Sequence, residues 1–81
     1  MAVELRLPGG YLHTITLNPS MTAAEFVAAC AEHFELHTES WRVAVLSPSG
    51  AVELKPSESI REALRAHTAS RLYLFPAVAV G

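Results

Sequence analysis

Residues 2–17 read AVELRLPGGYLHTITL, and the alternation on either side of one tight turn decides the architecture. In AVELRL, Val3, Leu5 and Leu7 fall on one side and Ala2, Glu4 and Arg6 on the other. A period of two is the mark of a strand with one buried face. Pro8, Gly9 and Gly10 then form a turn signal, because proline presets a turn's first φ and glycine accepts the angles that follow. YLHTITL resumes the alternation, with His13, Ile15 and Leu17 opposite Leu12, Thr14 and Thr16. Two β-favouring runs across a short glycine turn predict a β-hairpin at the start of the chain.

After the hairpin the period changes. Thr22 followed by Glu25 matches a capping box, in which the hydroxyl takes the third helical amide and the carboxylate reaches back to the cap amide. Phe26, Cys30 and Phe34 recur at i, i+4 and i+8, beside Ala23 and Val27, while Glu25, Glu32 and His33 occupy other faces. This spacing predicts an amphipathic helix of about three turns, ending near Leu36. WRVAVL (41–46) alternates again, SPSG (47–50) turns, and AVEL (51–54) is a short strand. KPSESIREALRAH (55–67) predicts a second, shorter helix capped by Ser57 or Ser59, with Ile60, Ala63, Leu64 and His67 toward the core. RLYLF (71–75) is the last strand, ended by Pro76 because proline withholds an amide. The order β-β-α-β-β-α-β predicts an α+β fold of the ubiquitin-like β-grasp type: a mixed sheet packed on one main helix, with the last strand in the middle. A ferredoxin-like variant starts with a strand that runs directly into a helix, and the opening hairpin argues against it.

Composition sets the limits. Eighty-one residues make one domain, and a hydrophobic fraction of 51% supplies a core without staples. One cysteine allows no internal disulfide, consistent with a reducing compartment, the cytoplasm or nucleus. Six basic against eight acidic residues give a net charge of −2. No basic cluster is present to neutralise phosphates, so nucleic acid is not an expected partner. No apolar run approaches the ~20 residues that span a bilayer. The N-terminus carries charges through its apolar stretch, unlike a secretory signal.

Nothing in the pattern converges on catalysis, and an enzyme is not expected. Cys30 shares the apolar helix face of Phe26 and Phe34, where a thiol is quiet. His33 and His37 have metal-compatible spacing, but no third ligand is evident, so no metal is expected. His13 and His67 have no evident acid or nucleophile partner. Gly9 and Gly10 lie in a hairpin rather than between a strand and a helix, and no lysine follows, so they form no phosphate cradle and no cofactor is expected.

The segment TAAEFVAACAEHFEL (22–36), with VAVLSPSGAVELKPSESIREALRAHTASRLYLFPAVAVG (43–81), resembles the ubiquitin-fold modifier family of the UFMylation system. The matching residues are Ala31, Glu32 and Phe34 at the helix end, Gly50, Pro56, Leu64, Ser70, Leu72, Pro76 and the closing Val80-Gly81. The resemblance implies a protein modifier joined through Gly81 to target-protein lysines. A dedicated ATP-using activating enzyme would adenylate Gly81, conjugating-enzyme cysteines would carry it as a thioester, and a ligase would direct it. A cysteine protease would trim any precursor, leaving a monomer whose conjugates gather in part at the endoplasmic reticulum surface. Residues 1–76 would be the folded domain and 77–81 a flexible tail, with Pro76, Ala77, Val78, Ala79 and Val80 as its recognition segment. Such a tail spans ~16 Å at about 3.3 Å per residue, and a terminal glycine leaves its carbonyl open to a nucleophile. Two departures bear on this reading. Family members carry a charged stretch before Val-Gly, whereas AVAVG is wholly apolar, and they have several lysines, whereas Lys55 is the sole lysine here and the only side-chain acceptor for chains.

LRLPGGYLHTITLNPSMTAAEFVAAC (5–30) also resembles Ras-association and FERM first-lobe domains, in which a sheet edge or helix face binds a partner. That alternative makes the chain an interaction module. On either reading, the expected contact surface is the strand His13, Thr14, Ile15, Thr16 and Leu17 with the adjoining helix flank, because an edge strand offers unpaired backbone groups.

Overall fold

The computed structural model describes residues 2–18, 20–36 and 40–77. Its elements follow the expected order: β1 (Ala2–Arg6), β2 (Leu12–Thr16), α1 (Ala23–His33), β3 (Trp41–Ser47), β4 (Gly50–Glu53), α2 (Ile60–Ala66) and β5 (Arg71–Pro76). The five strands form one mixed sheet in the order β2-β1-β5-β3-β4. β5 lies in the middle, parallel to β1 and antiparallel to β3. Alternation along each strand sends one set of side chains to the core. Val3, Leu5, Val43, Val45, Leu72 and Leu74 are all buried there, and Ala23, Phe26 and Cys30 of α1 pack onto them.

The first turn is built as its residues require. Pro8 and Gly9 occupy the corners of a turn closed by the Gly10 N–H donating to the Leu7 carbonyl at 3.1 Å. Gly9 has φ +90° and Gly10 φ +87°, angles that side chains rarely adopt. The Leu7 N–H then donates to the Tyr11 carbonyl at 2.8 Å, which starts the β1–β2 ladder.

α1 begins on the full capping box. The Glu25 N–H donates to Thr22 Oγ1 at 3.2 Å, and the Thr22 N–H donates to Glu25 Oε1 at 3.0 Å. Two further N-terminal amides find partners outside the helix. Ala23 donates to the Glu58 carbonyl and Ala24 to that of Pro56, so the segment entering α2 caps α1 as well. Thr22 and Ser59, the caps of the two helices, form a β-bridge with each other. Of the two serines proposed as the α2 cap, Ser59 fills the position and accepts the Glu62 N–H at 3.3 Å.

The ends of both helices differ from a glycine stop. α1 closes at His33, three residues before Leu36, because Glu35 turns left-handed at φ +56°. The Leu36 N–H then reaches back to the Ala31 carbonyl at 2.8 Å. α2 repeats the motif with Thr68 at φ +49° and the Ala69 N–H on the Leu64 carbonyl. Both are Schellman closures that satisfy orphan carbonyls, made here without glycine.

Pro76 does not end the pairing of β5. It sits opposite Trp41 inside the ladder, and the Ala77 N–H donates to the Ser40 carbonyl at 2.7 Å. Hydrogen-bonded and non-bonded pairs alternate along an antiparallel ladder, so a bonded Ala77–Ser40 pair makes Pro76–Trp41 a non-bonded one. The nitrogen of Pro76 therefore faces the β1 side. β1 has already stopped at Arg6, so no hydrogen bond is lost.

Candidate partner-binding edge

The β1–β2 register pairs Leu5 with His13 and Val3 with Ile15. Leu7 and Tyr11 are joined through the Leu7 amide, so every second pair from there is bonded: Leu5–His13 and Val3–Ile15. The backbone groups of Leu12, Thr14 and Thr16 consequently point away from β1. β2 is the first strand of the sheet, so these groups form its open edge. Leu12, Thr14 and Thr16 are exposed, as is His13, and Ile15 is half-buried. Leu17, expected on this edge, lies past the end of the strand and is buried in the core, 4% exposed. The reason is its phase: it shares the inward face with Ile15, and the chain turns in toward α1 after it.

The edge carries no formal charge, no proline and no bulge, the usual means of blunting such a strand. The other edge, β4, is shorter and carries Glu53, held by Arg42 at 2.8 Å. Beside β2 runs a groove of about 450 Å³, bounded by Thr14, Ile15 and Thr16 on one side and by Phe26, Ala29, Cys30 and His33 of α1 on the other. Met21 and Phe34 also line it. A groove of about 360 Å³ on the opposite flank of α1 passes Val27, Trp41, Leu54 and Ala77, but β3 there is an interior strand with no free backbone edge.

Sequence reading named residues 13–17 as the strand half of this candidate surface, and of these Leu17 falls outside the strand. It placed the helix half only as an adjoining flank and did not identify Ala29, Cys30, His33 and Phe34. The signal for those was the spacing 26, 29/30, 33, which continues one stripe of the helix past its buried face.

The other candidate residues are dispersed. Lys55 is exposed, with its backbone N–H on Glu58 Oε1 at 2.8 Å and its carbonyl accepting the Glu58 N–H. Pro76 and Ala77 are half-buried at the end of β5. Val78, Ala79, Val80 and Gly81 lie outside the described residues, as does His37. Cys30 is buried, and burial pushes its thiol up to about 11. Among the described residues, no three His, Cys, Asp or Glu side chains gather as metal ligands. No helix of the described residues is long and apolar enough to cross a membrane.

No family model and no curated protein matches the chain. Solved structures do. A computationally designed protein based on human erythrocytic ubiquitin superimposes with a TM-score of 0.67 at 25% identity, covering 99% of this chain and 95% of that one. A second ubiquitin-based de novo design gives 0.67 at 22% identity, covering 100% and 94%. The RA domain of a guanine nucleotide exchange factor for Rap1 gives 0.71 at 17% identity, covering 100% of this chain and 79% of that one. The chain has the ubiquitin-like β-grasp fold.

Proposed function

We propose that this chain is a ubiquitin-like protein-binding domain, whose working surface is the open edge of β2 together with the α1 flank. An extended segment of a protein partner adds to the sheet as a sixth strand. Its backbone meets the outward groups of Leu12, Thr14 and Thr16, and its alternate side chains enter the groove beside Ile15, Ala29 and Cys30. Backbone pairing supplies affinity and the pockets supply selectivity. The observation that carries this reading is the coincidence of an uncharged, unprotected edge with an apolar groove directly beside it. The test is titration of isotope-labelled protein with short peptides of alternating valine and threonine. Shifts confined to β2 and the Ala29–Phe34 side of α1 are expected. Shifts elsewhere, or none, contradict the reading.

A second reading is favoured by the register from Ser70 to Gly81. On it, the domain is a modifier of the UFMylation type, conjugated through Gly81 to lysines, with activating, conjugating, ligating and processing enzymes as partners. In the structure β5 carries the chain to Pro76, and the Ala77 N–H donates to the Ser40 carbonyl. Incubation with ATP and cell extract should then give a thiol-sensitive adduct, detected by mass spectrometry, that deletion of Gly81 abolishes. An adduct that survives the deletion, or no adduct, sinks this second reading and leaves the first intact.

A further inference from the structure

Phe34 closes the β2 groove at the carbonyl end of α1, and two imidazoles hold its ring. His13 of β2 lies 5.1 Å from it, tilted at 57°, and His33 of α1 lies 4.8 Å from it, nearly perpendicular. Both histidines are exposed. The described ion pairs are Arg42–Glu53 and Arg71–Glu4, so neither imidazole is paired with a described carboxylate. The groove lining itself contains no carboxylate. The charged residues on the elements packed around the pair are few. β1 bears Glu4 and Arg6, which project from the other face of the sheet, where Glu4 holds Arg71 at 2.7 Å. α1 bears Glu25 in its first turn and Glu32 near its end, Glu35 follows in the closing turn, and β2 bears none.

We propose that this end of the groove reads an acidic residue in the docked segment. The partner is an extended peptide segment with apolar side chains at alternate positions and a carboxylate placed over His13 and His33. The inference rests on the edge-docking reading and adds the composition and polarity of the segment. Charge complementarity favours it once the imidazoles are protonated: the groove lining holds no carboxylate, and His33 of that lining and His13 beside it flank Phe34 at this end. The carbonyl end of a helix opposes a carboxylate and favours a protonated histidine. At α1 that end is partly neutralised by the amides of Phe34 and Leu36, which occupy the Cys30 and Ala31 carbonyls. The acid therefore gains only when the imidazoles carry charge, and histidine is the side chain that acquires charge between about pH 8 and 5. Recognition strengthens as pH falls.

The experiment uses the full chain and three capped peptides of about eight residues, long enough for one strand. All share an alternating valine–threonine core. Two carry a pair of glutamates, at one end or the other, and the third carries glutamines instead. Each is titrated at about pH 7.5 and about pH 5.5, where glutamate stays ionised, since its ordinary pKa is about 4.3. One of the two glutamate peptides should bind about three- to tenfold tighter at the lower pH, the range of a partly exposed ion pair or two. The glutamine peptide should change by less than about twofold. The double substitution His13→Gln and His33→Gln should erase the gain, and unchanged amide shifts of the buried residues Leu5, Phe26 and Leu72 would show that the fold is intact. Glutamate peptides that gain nothing, or a gain that persists in the double variant, overturn the acid reading and leave edge docking standing. Failure of all three peptides to bind overturns edge docking and this inference together.

Discussion

Thr68 holds φ at +49°, an angle that a β-branched residue adopts only under constraint. The constraint is the Schellman closure of α2, whose bonds from Thr68 to Arg65 and from Ala69 to Leu64 require a left-handed residue at that position. Thr68→Gly should relieve the strain and raise stability by about 0.5–1 kcal/mol, despite the looser unfolded chain. Urea denaturation measures it, and a loss of stability would show that the Thr68 side chain does more than occupy the turn. Cys30 makes the opposite kind of statement. Its buried thiol is pushed from 9.0 up to about 11, so between those values the unfolded chain releases a proton that the folded chain keeps. The stability linked to Cys30 is complete below pH 9.0 and declines as pH rises toward about 11. Denaturation at about pH 8 and about pH 10.5 should show a drop in the parent that is smaller in Cys30→Ala, which lacks the thiol. Equal drops would contradict burial as the cause.

The best-determined element is α1, and its cap shows why. The spacing of Thr22 and Glu25 announces a capping box, and both of its bonds form. Glu25 is held below the usual carboxylate range, first by the Thr22 backbone N–H and then by its hydroxyl. The stability it adds is therefore complete above that range, and the box itself loosens only as pH falls below the range to the lowered value of Glu25. Thr22→Ala removes the acceptor for the Glu25 amide and should cost about 1 kcal/mol. The Thr22–Ser59 bridge couples the two helix starts, so amide exchange in the first turn of α2 should quicken as well. Exchange confined to α1 would mean that the bridge transmits nothing. The helix ends were less readable. A left-handed Glu35 or Thr68 has no composition signal of its own, because the stop comes from how Leu36 and Ala69 turn in to bury themselves rather than from a glycine. Pro76 misleads for a related reason. Its meaning depends on which side its nitrogen faces, and that is fixed by pairing with β3 and by where β1 stops.

Taken whole, the chain turns two periodicities into one sheet with one helix across it. Alternation in residues 2–17 and the switch of period at Thr22 carry the architecture, and both are local properties that a sequence displays directly. The strand half of the candidate surface was legible as an edge for the same reason, since an uncharged alternating run before a helix is an edge candidate. The helix half was not, because the approach of Ala29, His33 and Phe34 to His13 and Ile15 is a tertiary event across two elements. The histidine–phenylalanine cluster likewise exists only once β2 and α1 are brought together.

The central claim, that the outward backbone of β2 does the work, has a direct test in the parity of that strand. Proline is tolerated on an edge strand where its missing N–H faced solvent, and not where the amide was bonded. Thr14→Pro removes an outward donor, whereas His13→Pro removes one bonded to β1. Circular dichroism and peptide titration should find Thr14→Pro folded but at least about tenfold weaker in binding, the value of one or more lost hydrogen bonds, and His13→Pro destabilised. A folded Thr14→Pro variant that binds its peptides as tightly as the parent would contradict the account.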